Sequence, residues 1–541
     1  MAAQDRVKKL LKQFGDRKDA RRDWENTWQE IADHSLMRRD FTVAREPGRQ
    51  RGARIYDTTS RDANNLLTAA LHSLLTNPAT RWFDLRYLEE SLNEDDEATF
   101  YLDQVKQLTI NAFARPESGF TTNISEVYSD LPGFGTGVLF IEENLVSGPK
   151  FIARPLSETY LDVDHAGRVV TVYRDYELKA WQALDLFGEK DLPDRIVKAN
   201  EKDSSESFRF LHIVRKRDLP IPGNLDASGM PWESVYIEQS TKEIVREGGY
   251  HEMPYMVPRW TVDAGEIYGR GPGVDSLPEQ KMLNAIWRTY IRNAEKAVDP
   301  PLLVDDDGVM PGSQLRVTPS AQIVVRNDGG ARDPVRYLES RAQFPWAKDI
   351  IETRSIKIQK AFHSEILQAF QDPRMTATQV IELARQAQRL LSPVLGRMQT
   401  ELLEPMIERV VGILSRRSDF PEAPDFLQGQ ELKIEYVSPI ARAQKASDAA
   451  AIMDSFSASA AFAEADPSVM HNIDLDFAVR KIWEGNGTPV QALRQRDKVA
   501  EIRAAEAEAI EAQQQAQQQQ AQGETIAKLL PGIAKLSEQG A

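Results

Sequence analysis

At 541 residues the chain is longer than one hydrophobic core ordinarily organises, so several domains or one long multi-lobed subunit are expected. Its 41% hydrophobic and 28% charged content is that of a soluble globular protein, and a formal net charge of -15 argues against a dedicated nucleic-acid binder, which would be basic. The sequence has no cysteine, which excludes disulfides, thiolate zinc sites, iron–sulfur clusters and cysteine nucleophiles together.

The opening "MAAQDRVKKLLKQFGDRK" has the basic residues of a signal peptide without the apolar run that should follow, so secretion is not expected. Val7, Leu10, Leu11 and Phe14 share one helical face, as do Trp24, Trp28 and Ile31. Residues 44–57, "AREPGRQRGARIYD", are the one concentrated positive stretch. A solvated loop is the first reading, with nucleic acid or an acidic neighbouring subunit as alternative partners. The longest uncharged run, 63–80, reads as a helix over 64–75; its two Asn, His72 and Pro78 bar it from a bilayer.

From Gly137 the pattern turns to strands: "GVLFIEEN", "KFIARPL", "TYLDVD", "RVVTVYRDYEL" and, after a helix, "RFLHIVRKRDL" and "ESVYIEQ". The segment 164–167, "DHAG", is a good hairpin turn. This middle region is α+β and ends near "YMVPRWTVDAGE", after which helices dominate, giving an α+β, predominantly helical class.

The next stretch, "GEIYGRGPGVDSLPEQKMLNAIW" (265–287), concentrates glycine ahead of an amphipathic pattern. A P-loop needs GxxxxGK[ST], and Gly269, Gly271 and Gly273 supply neither the Lys nor the hydroxyl; a dinucleotide fingerprint fails because Val274 stands where its third glycine should be. The glycines therefore read as a hinge that lets the chain turn sharply, and Ser276 with Glu279 as a capping box opening a helix. That helix keeps one apolar face to Val298, about 35 Å, until Asp299-Pro300-Pro301 stops it.

A short strand-like, proline-punctuated module runs to about Arg341, then a helix from about Pro345 to His363. After a loop, a helical pattern covers about 377–417, with Pro393 and Pro405 expected to kink or break it near Leu391 and Leu403. The last hundred or so residues are Ala-rich helices ending in a Gln-rich tail with a thin apolar seam, either disordered or held by copies of itself.

The remaining motifs carry little chemistry. Gly133, Gly135 and Gly137 lead into a strand and so offer no helix N-terminus to an anion. Asp305, Asp306 and Asp307 with Gly308 have the look of a calcium loop, but Arg316 holds the place of the ligating Glu, so a surface turn is expected. The seven histidines show no metal-binding spacing, and there is no GxSxG elbow. No enzymatic activity, cofactor or metal is expected.

The order of segments is informative. "SRDANNLLTAALHSLLTNPATRWFDLRY" (60–87), "GTGVLFIEE" (135–143), "VPRWTVDAGEIYGRGPG" (257–273) and above all "RMTATQVIELARQAQRLLSPVLGRMQTELLEPMIERVVGIL" (374–414) resemble the portal, or head-to-tail connector, proteins of short-tailed double-stranded DNA bacteriophages. The resemblance covers most of the chain to about residue 450. It implies a homo-oligomeric ring of twelve at one capsid vertex, serving genome packaging, retention and ejection and the attachment of the tail. In that scheme 1–275 are the wing, 276–298 the first stem helix and 299–343 the clip, with Asp305, Asp306 and Asp307 as clip contacts. Residues 344–363 are the second stem helix, 364–376 the channel loop, 377–440 the long kinked helix and wing return, and 441–541 the crown and tail. Gln368, Gln371 and Arg374 are the candidate DNA contacts of the loop. The implied partners are the terminase large subunit, the major capsid and scaffolding proteins, tail adaptors and double-stranded DNA, with no membrane. The implied location is the virion, after assembly in the bacterial host cytoplasm. Twelve copies would carry roughly -180, so a duplex with one charge per ~1.7 Å should be mostly repelled by the walls. Two other readings stay open here: another phage structural protein, such as a tail adaptor or ejection protein, and a packaging ATPase or nuclease, against which the missing Walker lysine and acidic metal cluster weigh.

Overall fold

The computed structural model forms two units, Met1–Trp82 with Thr109–Asp419 and Phe83–Leu108 with Phe420–Ala541. It describes residues 2–37, 41, 54–78, 81–93, 95–144, 146–202, 205–217, 224, 226–306, 322–326, 335–337, 345–369, 377–427, 429–430, 432–436, 448–459, 471–485, 488, 492–496 and 498–515.

The apolar spacing of the first residues forms α1 (Ala2–Ala20) and α2 (Arg22–Ile31), and a π turn, Ala32–Leu36, follows. Helix α3 (Thr59–Leu75) buries Ala63, Leu67, Leu71 and Leu75, a line at steps of four. Strand β1 (Phe83–Tyr87) and helix α4 (Asp96–Ala114) come next, then α5 (Phe120–Phe134), which Gly135 ends with a φ of 84°.

The β-rich region supplies β2 (Leu139–Asn144), β3 (Gly148–Ala153), β4 (Thr159–Val163) and β5 (Val169–Lys179). After α6 (Ala180–Phe187) and α7 (Asp194–Glu201) come β6 (Ser207–Lys216), β7 (Trp232–Glu238), β8 (Glu243–Tyr250) and β9 (Tyr255–Met256). Strands β4 to β8 form one antiparallel sheet in chain order. Its first hairpin turns where expected: Asp164 Oδ1 accepts the N–H groups of Ala166 and Arg168, and Gly167 takes a φ of 77°.

Both faces of this sheet are covered. Helix α1 lays Val7, Leu10 and Phe14 on Tyr160, Tyr173, Leu211, Ile213, Val235 and Ile237. On the other face α6 and α7 set Ala183, Phe187 and Ile196 against Tyr176, Phe208 and Phe210. Each large apolar side chain so buried stabilises the fold by about 1.5–3 kcal/mol. A smaller sheet, in the order β3-β2-β9, lies beside α5.

Toward the second half come α8 (Pro272–Asp275), α9 (Leu277–Val298), and a three-stranded sheet of β10 (Leu302–Asp306), β11 (Gln322–Arg326) and β12 (Val335–Tyr337). In that sheet β10 is central, parallel to β11 and antiparallel to β12. Helix α10 (Pro345–Ala361) returns along α9, and α11 (Ser364–Ala369) follows a turn at His363, whose φ is 55°.

The long helical pattern after residue 376 is α12 (Ala377–Met398), a π turn at Gln399–Leu403 and α13 (Glu404–Arg416). Of the kink or break expected near Leu391, a break does not occur, since α12 runs through Pro393. Buried Leu391, Val394 and Met398 flank that proline and hold the helix against the loss of one N–H bond. The break near Leu403 does occur, as the π turn just before Pro405.

In the second unit β13 (Leu432–Tyr436) pairs antiparallel with β1, from Phe83 opposite Tyr436 to Tyr87 opposite Leu432. The same unit also contains helix α14 (Leu475–Gly485) and helical stretches at 448–459 and 498–515. Every side chain from 500 to 515 is exposed, in keeping with the thin apolar seam read there. The Gln-rich tail beyond 515 lies outside the described residues.

Candidate functional site

The two glycine-rich stretches of the sequence meet each other. A Cβ on Gly135 would stand 2.3 Å from Gly269 O, and one on Gly269 would stand 2.3 Å from Gly135 O. A Cβ on Gly271 would reach Pro132 O at 2.5 Å, and one on Gly273 would reach Gly133 O at 2.5 Å. The backbones can touch only because Gly269, Gly271 and Gly273 carry no side chain. Hydrogen bonds stitch the contact: Trp260 N–H to Gly135 O at 2.8 Å, Gly137 N–H to Pro258 O at 3.0 Å, and Gly269 N–H to Thr136 Oγ1 at 2.9 Å.

This corrects the hinge expectation. Gly269, Gly271 and Gly273 do not adopt left-handed φ, and Gly271 sits at -108°. The left-handed turn is at Gly265, φ 91°. The three glycines serve close approach, and the Gly269 amide that a phosphate would need is already given to Thr136.

The capping box is also corrected. Ser276 makes no side-chain cap; its hydroxyl donates back to Pro272 O at 2.5 Å. The physical reason is α8 just upstream: Pro272 O takes both the N–H and the hydroxyl of Ser276, so the side chain points back and not forward to the first amides of α9. Gln280 closes this buried start by donating to Ser276 Oγ and Gly273 O and accepting from Ser35 Oγ at 2.8 Å.

Glu279 is thereby released to cross to α10. Arg354 Nη1 donates to its Oε1 at 2.7 Å, and Lys357 Nζ lies 3.6 Å away. Those bonds, Arg354's first, hold the Glu279 carboxyl below its usual range. Elsewhere on α9, Lys281 pairs with Glu30 at 2.7 Å, and Asn284 Oδ1 accepts Tyr56 N–H at 2.7 Å while its Nδ2 donates to Arg54 O. The far end of the basic stretch is thus tied to α9; its residues 44–53 lie outside the described residues.

A second clamp holds the π turn. Glu401 accepts from the backbone N–H of Arg259 at 2.9 Å, from Arg259 Nη2 at 2.6 Å and from Arg397 at 3.1 Å. Arg259 is buried and spends its remaining donors on Ile267 O and Gly167 O. Further along, in α13, Arg409 Nε donates to Ile141 O, and Arg416 grips Glu143 and Glu252. Burial lowers the Arg416 pKa, but those two carboxylates outweigh it and raise it overall.

His212, one of the scattered histidines, is a core group. Its ring stacks on Tyr236 at 4.0 Å, Nδ1 meets Tyr255 Oη at 3.0 Å and Nε2 meets Ser234 Oγ at 3.0 Å. Burial, then the charges of Arg174 and Arg154, push its pKa well down, so it is neutral.

The remaining candidates divide. Gln368 lies in α11, so the start of the segment expected as a loop is helical; Gln371 and Arg374 lie outside the described residues. Asp305 and Asp306 end strand β10, where a turn was expected, because that strand pairs on both sides; Asp307 lies outside the described residues. Among the described residues no group of three or more His, Cys, Asp or Glu is placed to hold a metal ion, and no helix is long and apolar enough to cross a membrane. Sequence reasoning missed Arg259, Glu401, Thr136 and Arg354. Arg259 and Glu401 are 142 positions apart, and no spacing rule links residues so distant.

The family profile described as "Bacteriophage head to tail connecting protein" matches residues 7–493. The chain is 28% identical over 555 residues to a probable portal protein of Bordetella phage BPP-1, covering 100% of this chain and 98% of that one. It is 26% identical over 516 residues to a portal protein of Salmonella phage epsilon15, covering 93% of this chain and 91% of that one.

Proposed function

We infer a function from one premise: this chain belongs to the bacteriophage head-to-tail connecting proteins and is a portal protein. On that reading twelve copies close into a ring at one vertex of the capsid. Double-stranded DNA is driven in through the ring by the terminase large subunit, retained, and later released, and the same ring carries the tail adaptors. Major capsid and scaffolding proteins hold it in the shell during assembly in the host cytoplasm.

Helices α9 and α10 are then the stem, and 299–343 the clip that meets terminase and later the adaptor, with Asp305, Asp306 and Asp307 as its acidic contacts. The segment 364–376, which opens with α11, is the part that reaches into the channel, with Gln368, Gln371 and Arg374 toward DNA. Residues 1–275 and 377–440 make the wing, and 441–541 the crown.

The observation that carries the reading is the family match along nearly the whole chain. The helical pair supports it: in a single copy Met282 and Val298 of α9 and Ile350 and Ile356 of α10 are exposed. Side-by-side copies would cover such surface, and a head-to-tail contact that closes gives a ring. Native mass spectrometry of the pure full-length protein tests this. A species of twelve times the 61.0 kDa chain mass is expected, and a monomer that persists at high concentration would contradict it.

A further inference from the structure

We propose that Arg288, Arg292 and Lys296 of α9 form a line of phosphate contacts for double-stranded DNA on the channel wall; the assignment rests on the portal reading. The three residues follow one another at steps of four, so each is about 6 Å further along the helix and all fall within about 80° of arc. That arc is opposite Leu283, which is wholly buried. Arg288 and Arg292 are exposed and Lys296 is half-buried.

Pairing sets these cations apart from several of their neighbours. Arg354 and Lys357 of α10 are joined to Glu279, Lys360 lies 3.8 Å from Glu365, and Lys281 is joined to Glu30. Arg288, Arg292 and Lys296 have no ion pair or side-chain hydrogen bond among the described residues, in a chain whose net charge is -15. Cations left unpaired on one face of an acidic protein call for an external anion.

The rest of the face argues for which anion. Beside the cations stand exposed Ala285, one turn before Arg288, and Thr289, with Glu295 at the edge, exposed Asp299 just after Lys296, and no large apolar side chain. A stable protein interface needs an apolar core to bury, and this arc offers none. A hydrated polyanion that must move needs only charge, and a duplex presents one phosphate per ~1.7 Å. In a ring each residue becomes a tier of cations, three tiers about 6 Å apart. The acidic remainder of the ring keeps such a grip from becoming a trap, so the wall is not repulsive throughout.

The test uses purified full-length wild type, the triple variant Arg288→Gln, Arg292→Gln, Lys296→Gln, and the double variant Arg288→Lys, Arg292→Lys. Ring formation is scored by sedimentation. Binding is measured with a fluorescent 30-base-pair linear duplex across a salt series, with a closed circular duplex, which cannot thread, as competitor. All three proteins should form rings. The triple variant should bind the linear duplex about tenfold or more weakly, and its slope of log affinity against log salt should fall by about 0.9 for each phosphate no longer neutralised. The Lys variant should stay near wild type, and the circle should compete poorly. Triple-variant rings that bind as wild type, or wild-type rings that do not bind the duplex, overturn the assignment. Loss of rings in the triple variant alone also overturns it, by showing that these cations serve an acidic neighbouring copy. A wild type that forms no ring is a different result, which sinks the portal reading beneath it.

Discussion

Glu279 of α9 and Arg354 of α10, 75 residues apart in sequence, are joined by hydrogen bonds that tie the two helices near the root of α9. Each side chain is about a quarter exposed, so the pair is worth roughly 1 kcal/mol. Arg354→Met should lower hydrogen-exchange protection across 277–298 and 345–361 by about that much. The Glu279 carboxyl is held below its unfolded value of 4.5, so its contribution is complete above that pH and is lost as pH falls through the folded value. Protection in wild type should therefore drop below pH 4.5 more steeply than in Arg354→Met; equal slopes would refute the pairing.

The glycine contact makes an opposed pair of predictions. Gly271→Ala should destabilise by about 3 kcal/mol, because its Cβ must displace backbone, which cannot step aside. Gly396→Ala, inside α12 with nothing within 4 Å, should stabilise by about 0.5–1 kcal/mol. Urea midpoints of the two variants should move in opposite directions.

His212 gives a pH dependence of known sign. Its folded pKa is depressed while the unfolded chain takes a proton near 6.5, so stability should fall as pH drops below that value, by up to about 1.4 kcal/mol per pH unit. Denaturation at pH 7 and pH 5 should show wild type losing about 1–2 kcal/mol more than His212→Gln. An identical loss in both would place the proton uptake elsewhere.

Glu401→Gln leaves Arg259 buried beside a neutral partner and should cost about 3 kcal/mol. Limited proteolysis should then cut near the π turn, where wild type resists. An unchanged cleavage pattern would mean that the turn is held by packing alone.

For the loop, Gln368→Ala, Gln371→Ala and Arg374→Ala together should leave ring assembly intact while reducing the fraction of particles that package or retain DNA. A variant that forms no ring would move these residues out of the loop and into the subunit contact.

Local features were legible where one element decides them. The faces of α1 and α2, the turn at 164–167 and the break before Pro405 follow from spacing and turn chemistry. What depends on a distant partner was not. The glycines looked like a hinge because sequence shows conformational freedom, whereas the fold uses them for contact with a second glycine run more than 130 positions earlier. Ser276 and Glu279 have capping spacing, but α8 upstream removes the need for a cap. Strand β8, rich in Glu and Gly, is made by its pairing with β7 and not by propensity. The candidate site followed the same rule: α9 could be placed from its periodicity, while Arg354 and Arg259 became visible only in the fold.

Electron microscopy of the purified full-length protein tests the central claim most directly. The account predicts closed rings of twelve copies around an opening at least as wide as a DNA duplex, with α9 on its wall. Monomers, open filaments, or rings whose opening is lined by other elements would contradict it.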